Sequence, residues 1–133
     1  MNDQSSIEQF LDGSPHAVVG SSRDRSKYGN KVLRAYLQDG RTVYPINPAA
    51  DEIEGLTAYQ DLASLPKPVH GISVITPPAV TEAVVEQAGQ LQIKNIWLQP
   101  GSESDQVVSR ATELGMNVIA GGPCLLVVIG YRE

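Results

Sequence analysis

The sequence predicts one α/β domain in which helices cover both faces of a doubly wound, parallel, five-stranded sheet. Short apolar segments alternate along the chain with segments of helical periodicity, which is typical of strand–helix–strand units. The third apolar segment, residues 71–75, is an almost uninterrupted apolar run, as expected for a strand that is covered on both faces. The length of 133 residues suits a single domain with its own core, and we find no internal repeat, linker or low-complexity tract.

Each predicted element has a local signal in the sequence. Gly40 and Gly115 stop two of the helices. Pro77-Pro78 begins a third, because proline is tolerated where the first N–H groups of a helix have no partner. Residues 51–68 predict an irregular connector with a turn at Glu54-Gly55. The predicted strands are residues 16–20, 42–46, 71–75, 95–98 and 117–120, and the predicted helices are residues 6–11, 28–38, 60–65, 79–91 and 103–114.

The order of the strands decides where a ligand would lie. Right-handed crossovers predict the order 3-2-1-4-5, numbered along the chain, with a switch point between the first and fourth strands. Ligands of such sheets lie outside the carboxyl ends of the strands. All five ends are small, polar or proline-rich and offer few ionisable side chains, so this edge suits binding better than catalysis. The five ends are Gly20-Ser21-Ser22, Asn47-Pro48, Thr76-Pro77-Pro78, Gln99-Pro100-Gly101 and Gly121-Gly122.

The turn after the first strand, Gly20-Ser21-Ser22, is the most informative motif of the chain. A dinucleotide-binding turn has the pattern G-x-G-x-x-G, with an acidic residue about twenty positions later that binds a ribose. Here the next glycine is Gly29, and the second strand ends in Asn47-Pro48. The pattern favours a phosphate-binding turn that is not suited to NAD. Asn47 fits a ligand contact at the ribose position, although asparagine between prolines is also a common turn signal.

Positive charge is concentrated directly after this turn. The net charge is −5, yet five of the 10 Lys and Arg residues fall within residues 23–34. A solvated helix face would give the same pattern, but helix N-termini usually carry acidic residues because the helix dipole is already positive there. Cations at this place therefore favour an anionic ligand. The five residues are Arg23, Arg25, Lys27, Lys31 and Arg34.

The composition excludes several classes of protein. A hydrophobic content of 41% and a charged content of 19% are typical of a soluble globular protein. The acidic balance speaks against general nucleic-acid binding, and the first six residues lack a signal-peptide pattern. The longest apolar run, residues 125–129, is too short to span a bilayer. We expect a cytoplasmic protein with no membrane or nucleic-acid partner, in which residues 125–129 are buried as an added edge strand or in a homodimer contact.

Few residues could carry catalysis. His16 and His70 each lie at the start of a strand, which places them at the edge opposite the ligand. Ser21 and Ser22 lack the G-x-S-x-G pattern of a nucleophile turn, and no His, Asp or Glu pair has the spacing of metal ligands. Cys124 lies near the ligand edge and is either a small buried hydrophobe or a thiol that reacts with a thiol-bearing ligand. We expect a binding protein without catalytic residues or metal.

A series of short motifs, taken in their order along the chain, carries a family resemblance. The motifs are residues 18–23 (Val-Val-Gly-Ser-Ser-Arg), 26–29 (Ser-Lys-Tyr-Gly), 43–48 (Val-Tyr-Pro-Ile-Asn-Pro), 52–55 (Glu-Ile-Glu-Gly), 76–78 (Thr-Pro-Pro), 96–101 (Ile-Trp-Leu-Gln-Pro-Gly) and Cys124. Together they cover nearly the whole chain, which resembles the small stand-alone CoA-binding proteins. That family is similar to the Rossmann-like CoA-binding domain of the succinyl-CoA synthetase alpha subunit. The phosphohistidine of that synthetase belongs to a second domain, so the resemblance implies no ligase activity.

The resemblance implies that coenzyme A or an acyl-CoA lies across the carboxyl edge. Its phosphates would bind at Gly20, Ser21 and Ser22, with Arg23 or Lys27 as charge partners. Two alternatives are a redox-active protein in which Cys124 exchanges thiols with CoA, and a regulatory domain that binds a nicotinamide dinucleotide. The other residues of the implied site are Tyr28 in the basic segment, Asn47, Pro48, Thr76 and Pro77 at the nucleotide end, and Gln99, Pro100 and Gly101 beside the pantetheine.

Overall fold

The computed structural model describes residues 4–122 and 124–132. Within these residues, a parallel five-stranded sheet is accompanied by a separate antiparallel hairpin and by five α-helices. No helix of the described part of the chain is long and apolar enough to cross a membrane. The strands are β1 (His16–Val19), β2 (Val43–Ile46), β3 (Glu52–Ile53), β4 (Leu56–Thr57), β5 (Gly71–Val74), β6 (Asn95–Leu98) and β7 (Asn117–Ile119). The helices are α1 (Gln4–Leu11), α2 (Tyr28–Gln38), α3 (Pro78–Gln90), α4 (Asp105–Glu113) and α5 (Leu125–Val128), with a 3₁₀ turn at Leu62–Ser64.

The main sheet has the strand order β2-β1-β5-β6-β7, and all its neighbouring strands are parallel. The predicted fold class is confirmed, but the predicted order 3-2-1-4-5 is wrong. In that numbering the order is 2-1-3-4-5, since β5 pairs with β1 on the side away from β2. The connector after β2 explains the difference, because its Leu62 and Val69 pack in one apolar cluster with Ala17 and Ile72. The chain thus crosses back over β1, and the switch point lies between β1 and β5.

Two apolar clusters fill the two faces of the sheet. Successive residues of a strand point to opposite faces, so Ile96 and Leu98 join one cluster while Trp97 joins the other. The first cluster includes Val85 of α3 together with residues of α4. The second includes Tyr36 of α2 together with residues of α1 and α5. Helices therefore cover both faces, and the carboxyl ends of β1, β5 and β6 lie between the two helical layers.

The apolar segment 125–129 does not extend the sheet. It forms the short helix α5, in which Leu125 is fully buried while Val127 is 80% exposed. The prediction of an added edge strand is therefore wrong. The backbone reason lies just before the helix, where Gly121 and Gly122 have φ angles of 80° and 156°, a conformation that does not continue a strand. Pro123 lies outside the described residues.

Candidate ligand site at the carboxyl edge

β1 ends in a tight turn that brings the start of α2 against the sheet. Gly20 has a φ of +96°, a backbone angle that residues with a Cβ atom rarely adopt. The N–H groups of Gly20 and Ser21 both donate to the carbonyl oxygen of Ile46, at 3.3 and 3.2 Å. A Cβ atom on Gly29 would clash with the carbonyl oxygen of Gly20, so glycine is required where the helix begins. The close helix–turn contact of a nucleotide-binding turn is reached here with a different glycine spacing.

Two of the predicted ligand residues hold this turn in shape. Ser21 is buried, and its hydroxyl donates to the carbonyl oxygen of Val18 at 2.8 Å. The amide nitrogen of Asn47 donates to the carbonyl oxygen of Ser21 at 2.8 Å, and its amide oxygen accepts from the Ala49 N–H at 2.7 Å. Both side chains are engaged within the protein. They shape the surface of the turn through these bonds.

The basic cluster after the turn is largely exposed, as in Arg23, Arg25 and Lys27, although three of its arginines also bind other parts of the protein, namely Arg23, Arg25 and Arg34. Arg25 forms an ion pair with the β3–β4 hairpin, with 3.3 Å between its Nε and a carboxylate oxygen. Arg34 donates to the carbonyl oxygen of Arg25 at 2.9 Å. Arg23 and Lys27 are exposed, and Lys27 is the residue directly before α2. Ser22 begins the loop, and its hydroxyl accepts from a backbone N–H at 3.0 Å.

Tyr28, Gln99 and Cys124 form a hydrogen-bonded group beside the turn. The amide oxygen of Gln99 accepts from the Leu125 N–H and from the Tyr28 hydroxyl, both at 3.1 Å. Because the Leu125 N–H can only donate, it identifies the oxygen end of the Gln99 amide. The Tyr28 proton therefore points to Gln99, and the Tyr28 oxygen accepts from the Cys124 thiol, 2.6 Å away. Burial, and then the contact with Cys124, raises the pKa of the Tyr28 hydroxyl.

The other end of the Gln99 amide is unused. Gln99 is fully buried, yet its Nε2 has no hydrogen-bond partner among the described residues. Leaving a buried amide donor unpaired is unfavourable, and such groups in native proteins call for a ligand or a water. Gln99 follows β6 directly and precedes Pro100 and Gly101 at the carboxyl edge. The free amide is therefore a candidate donor to a ligand.

A groove and a pocket lie at the carboxyl edge. Ile75 lines the groove and the next residue, Thr76, lines the pocket, so neighbouring residues contribute to the two walls. The groove has a volume of about 530 Å³ and is lined by Tyr28, Ile75, Pro77, Pro100, Gly101 and Cys124. The pocket has a volume of about 240 Å³ and mainly apolar walls that include Gly20, Ile46, Pro48, Thr76, Val80 and Val84.

The structure brings most of the predicted site residues to these cavities. Sequence reasoning missed Val80 and Val84 of α3, although apolar residues four apart in a helix that begins at the ligand edge were a usable signal. It also missed Asn30, a fully buried polar residue that shares an apolar helix face with Leu33. The predicted residues that line the groove or the pocket are Gly20, Tyr28, Pro48, Thr76, Pro77, Pro100, Gly101 and Cys124.

Both histidines lie at the amino edge of the sheet, as predicted. His16 is the first residue of β1 and is fully buried, with its Nε2 2.8 Å from the carbonyl oxygen of Phe10. His70 directly precedes β5, and its Nε2 lies 2.8 Å from the carbonyl oxygen of Gln9. Neither ring can reach the groove or the pocket. Within residues 4–122 and 124–132, no group of three or more His, Cys, Asp or Glu could hold a metal ion.

Comparison with known proteins identifies the family. A family model described as a CoA binding domain matches residues 15–130, a range that contains the turn, the groove and the pocket. The chain belongs to this CoA-binding domain family. The family resemblance inferred from the ordered motifs is thereby confirmed.

Members of two sizes resemble this chain. The alpha subunit of acetate–CoA ligase [ADP-forming] II from Pyrococcus furiosus is 23% identical over 85% of this chain and 27% of that protein. The uncharacterized protein YneT of Bacillus subtilis is 26% identical over 85% of this chain and 84% of that protein. A solved conserved hypothetical protein from Pyrococcus furiosus is 38% identical with a TM-score of 0.80, covering 85% of this chain and 97% of that one. The chain spans 11 to 27% of the acetate–CoA ligases that it matches.

Proposed function

We propose that the protein binds coenzyme A across the carboxyl edge of the sheet and acts as a binding module. The observation that carries the proposal is a groove and an apolar pocket at the carboxyl edge, next to a glycine turn that exposed cations follow. Coenzyme A has an aromatic base at one end, phosphates in the middle and a thiol-bearing arm at the other end. The family supports the same ligand class.

The phosphates would lie at the turn and the start of α2. This helix has 11 residues and no acidic residue in its first turn, so its N-terminal dipole is available to an anion. Arg23 and Lys27 would supply charge-assisted hydrogen bonds. Gly20 would let the phosphates approach the backbone closely.

The adenine would occupy the pocket of about 240 Å³. Ile46, Val80 and Val84 offer apolar contact to the faces of the base, and Gln60 and Asp61 on the rim can contact its polar edge. The amide oxygen of Gln87 accepts from the Leu62 N–H at 3.1 Å. This bond holds the Gln87 side chain against the pocket wall.

The pantetheine arm would lie in the groove of about 530 Å³. Pro77 and Pro100 offer apolar contact to its methylene groups. Gln99 is fully buried beside the groove residues Tyr28 and Pro100 and does not line the groove itself. Its unpaired Nε2 would donate to one of the amide carbonyls of the arm after a side-chain shift that opens it to the groove. The thiol end would then approach Cys124.

A binding role without catalysis fits the placement of the ionisable groups. The two histidines lie at the opposite edge, and the groove residues include no carboxylate. The ligase activity of the longer relatives belongs to proteins of which this chain spans only a small part. We therefore propose that the bound CoA, free or acylated, is presented to a partner.

Thermal unfolding with CoA, acetyl-CoA, NAD and NADP tests the proposal. A ligand at about one hundred times its Kd stabilises the fold by about 2.7 kcal/mol, which raises the Tm by several degrees in a domain of this size. We expect CoA to raise the Tm and NAD to leave it unchanged, because the turn lacks the dinucleotide pattern. Equal stabilisation by NAD, or none by CoA, would overturn the assignment.

A second candidate function is thiol exchange at Cys124. The specific observation is that Cys124 lines the groove and contacts the Tyr28 hydroxyl. The thiol would attack CoA disulfide, forming a mixed disulfide with one CoA and releasing the other as the free thiol, so that CoA disulfide is the oxidant. Intact mass after incubation with CoA disulfide should show one CoA adduct in the folded protein and none in Cys124→Ser. An adduct that forms only in denaturant would contradict this candidate.

A further inference from the structure

The β3–β4 hairpin contacts the basic loop of residues 22–27, which lies between the Gly20 turn and α2. The Nε of Arg23 donates to the carbonyl oxygen of Glu52 at 2.9 Å. The carboxylate of Glu54 lies 3.3 Å from the Nε of Arg25. The hairpin thus contacts the loop through the backbone of Glu52 and through the side chain of Glu54. Both residues carry the same charge, but only Glu54 uses it in this contact.

The hairpin has a rigid geometry that directs the Glu54 side chain. Glu54 and Gly55 have φ angles of 51° and 78°, as expected for a two-residue hairpin turn with both central residues left-handed. The preceding residue, Ile53, is 1% exposed and packs in the cluster that α2 covers. The apolar anchor holds the hairpin against the domain, so the Glu54 carboxylate has a fixed origin. Its side chain is only 20% exposed.

Asn30 carries the link from Glu54 to the turn. Asn30 is fully buried, and its amide nitrogen donates both to the carbonyl oxygen of Ser22 at 2.8 Å and to the Glu54 carboxylate at 3.0 Å. Its amide oxygen accepts from the Nε of Arg34 at 2.7 Å. Both amide protons and the amide oxygen of Asn30 are thus engaged, which holds its side chain in place. Glu54 is therefore connected through Asn30 to the residue that begins the basic loop.

We propose that Glu54 is a positioning residue for the phosphates of the ligand. It holds the basic loop in the arrangement in which Arg23 and Lys27 bind the anion, and this inference rests on the proposed CoA function. By charge alone a carboxylate near a phosphate weakens binding. Here Arg25 and Asn30 engage the carboxylate, and an ordered loop loses less conformational freedom when the ligand binds.

Calorimetric titration of CoA into four proteins tests this role. The proteins are the wild type, Glu54→Ala, Glu54→Gln and the matched control Glu52→Ala, which removes the same charge from the same hairpin and leaves its backbone acceptor intact. Each titration is run well below the Tm at about 50 and 300 mM NaCl, since salt screens exposed phosphate contacts.

We expect Glu54→Ala to raise the Kd about tenfold at low salt, because ordering the loop then costs part of the binding free energy. Its salt dependence should fall, because a loop that is not held in place makes fewer of the cation–phosphate contacts that salt screens. Glu54→Gln should lie within about threefold of the wild type, because its amide oxygen still accepts from Asn30. Glu52→Ala should bind at least as tightly as the wild type. If Glu54→Ala does not fold, Glu54→Asp replaces it, because the shorter side chain keeps the charge but draws the carboxylate away from Asn30, and a Kd equal to that of the wild type would then contradict the role.

Three results would overturn the role of Glu54. These are an unchanged or lower Kd in Glu54→Ala, equal weakening in Glu52→Ala, or weaker binding with the salt dependence of the wild type, which would indicate a structural role only. A wild type that does not bind CoA is a different result, because it removes the proposed function itself.

Discussion

The amino and carboxyl edges of the parallel sheet differ in what lies against the strand ends. At the amino edge, the amide nitrogen of Asn117 donates to the carbonyl oxygen of Ser6 in α1 at 2.9 Å and to the amide oxygen of Asn95 at 3.1 Å. Asn95 in turn donates to the carbonyl oxygen of His70 at 3.1 Å. At the carboxyl edge, a glycine turn, proline-rich segments and two cavities lie open.

This difference separates stability from binding. The strand ends of a parallel sheet leave backbone groups to be satisfied at both edges. At the amino edge, α1 and side-chain amides are bonded over the strand ends, so substitutions there should change the free energy of unfolding. The carboxyl edge has room for a ligand, so substitutions there should change affinity more than stability.

The largest expected effect is the pH dependence of the free energy of unfolding, which arises from His16 at the amino edge. Burial, the main cause, lowers the pKa of His16 from 6.5 to about 4. The unfolded chain therefore binds this proton more readily than the folded one, and the free energy of unfolding should fall as the pH drops through the window from 6.5 to about 4. At about 1.4 kcal/mol per pKa unit the full loss is about 3 kcal/mol.

Denaturant unfolding of the wild type and of His16→Gln across this pH window measures the effect. The variant can still donate to the carbonyl oxygen of Phe10 but cannot take up the proton. Its stability should depend less on pH over the window, and the same acid profile in both proteins would contradict the role of His16.

An intermediate effect, on CoA affinity, is expected when cations at the carboxyl edge are replaced. Lys27→Ala or Arg23→Ala should weaken CoA binding about tenfold, or about 1.4 kcal/mol, because each loses a charge-assisted phosphate contact. Added salt should weaken binding to the wild type. Lys94→Ala is the matched control, since Lys94 is exposed and directly precedes β6 at the amino edge, away from the proposed site. Titration calorimetry compares the three variants, and equal affinity in all of them would show that the basic cluster is only a solvated face.

The smallest effect is expected on the outer side of α5. Val127 is 80% exposed, so Val127→Ser should change the free energy of unfolding by no more than about 0.5 kcal/mol. Light scattering on the same samples should show one molar mass for both proteins. A lower mass in the variant would indicate that a second copy of the chain covers α5 in a homodimer. Less of the surface near the carboxyl edge would then be exposed to solvent.

Local signals in the sequence were sufficient for most elements. The predicted bounds of α2 and β6 coincide with the observed Tyr28–Gln38 and Asn95–Leu98, because apolar periodicity and a glycine or proline stop act over a few residues. The turn at Glu54-Gly55 was also predicted, since its left-handed backbone requires particular residue types. The same kind of reasoning was wrong for residues 125–129, because a short apolar run fits a strand or a helix equally well.

The sequence by itself determined the α/β class, the family and the edge at which the proposed ligand-binding motifs meet, because these depend on patterns within each segment and on their order. Only the tertiary structure decided the position of β5 beside β1, the bond between Asn30 and Glu54 and the contact between Tyr28 and Cys124. These partners lie far apart along the chain, and the last pair is separated by 96 positions. Which distant side chains meet depends on how the layers pack, and packing is a property of all the segments together.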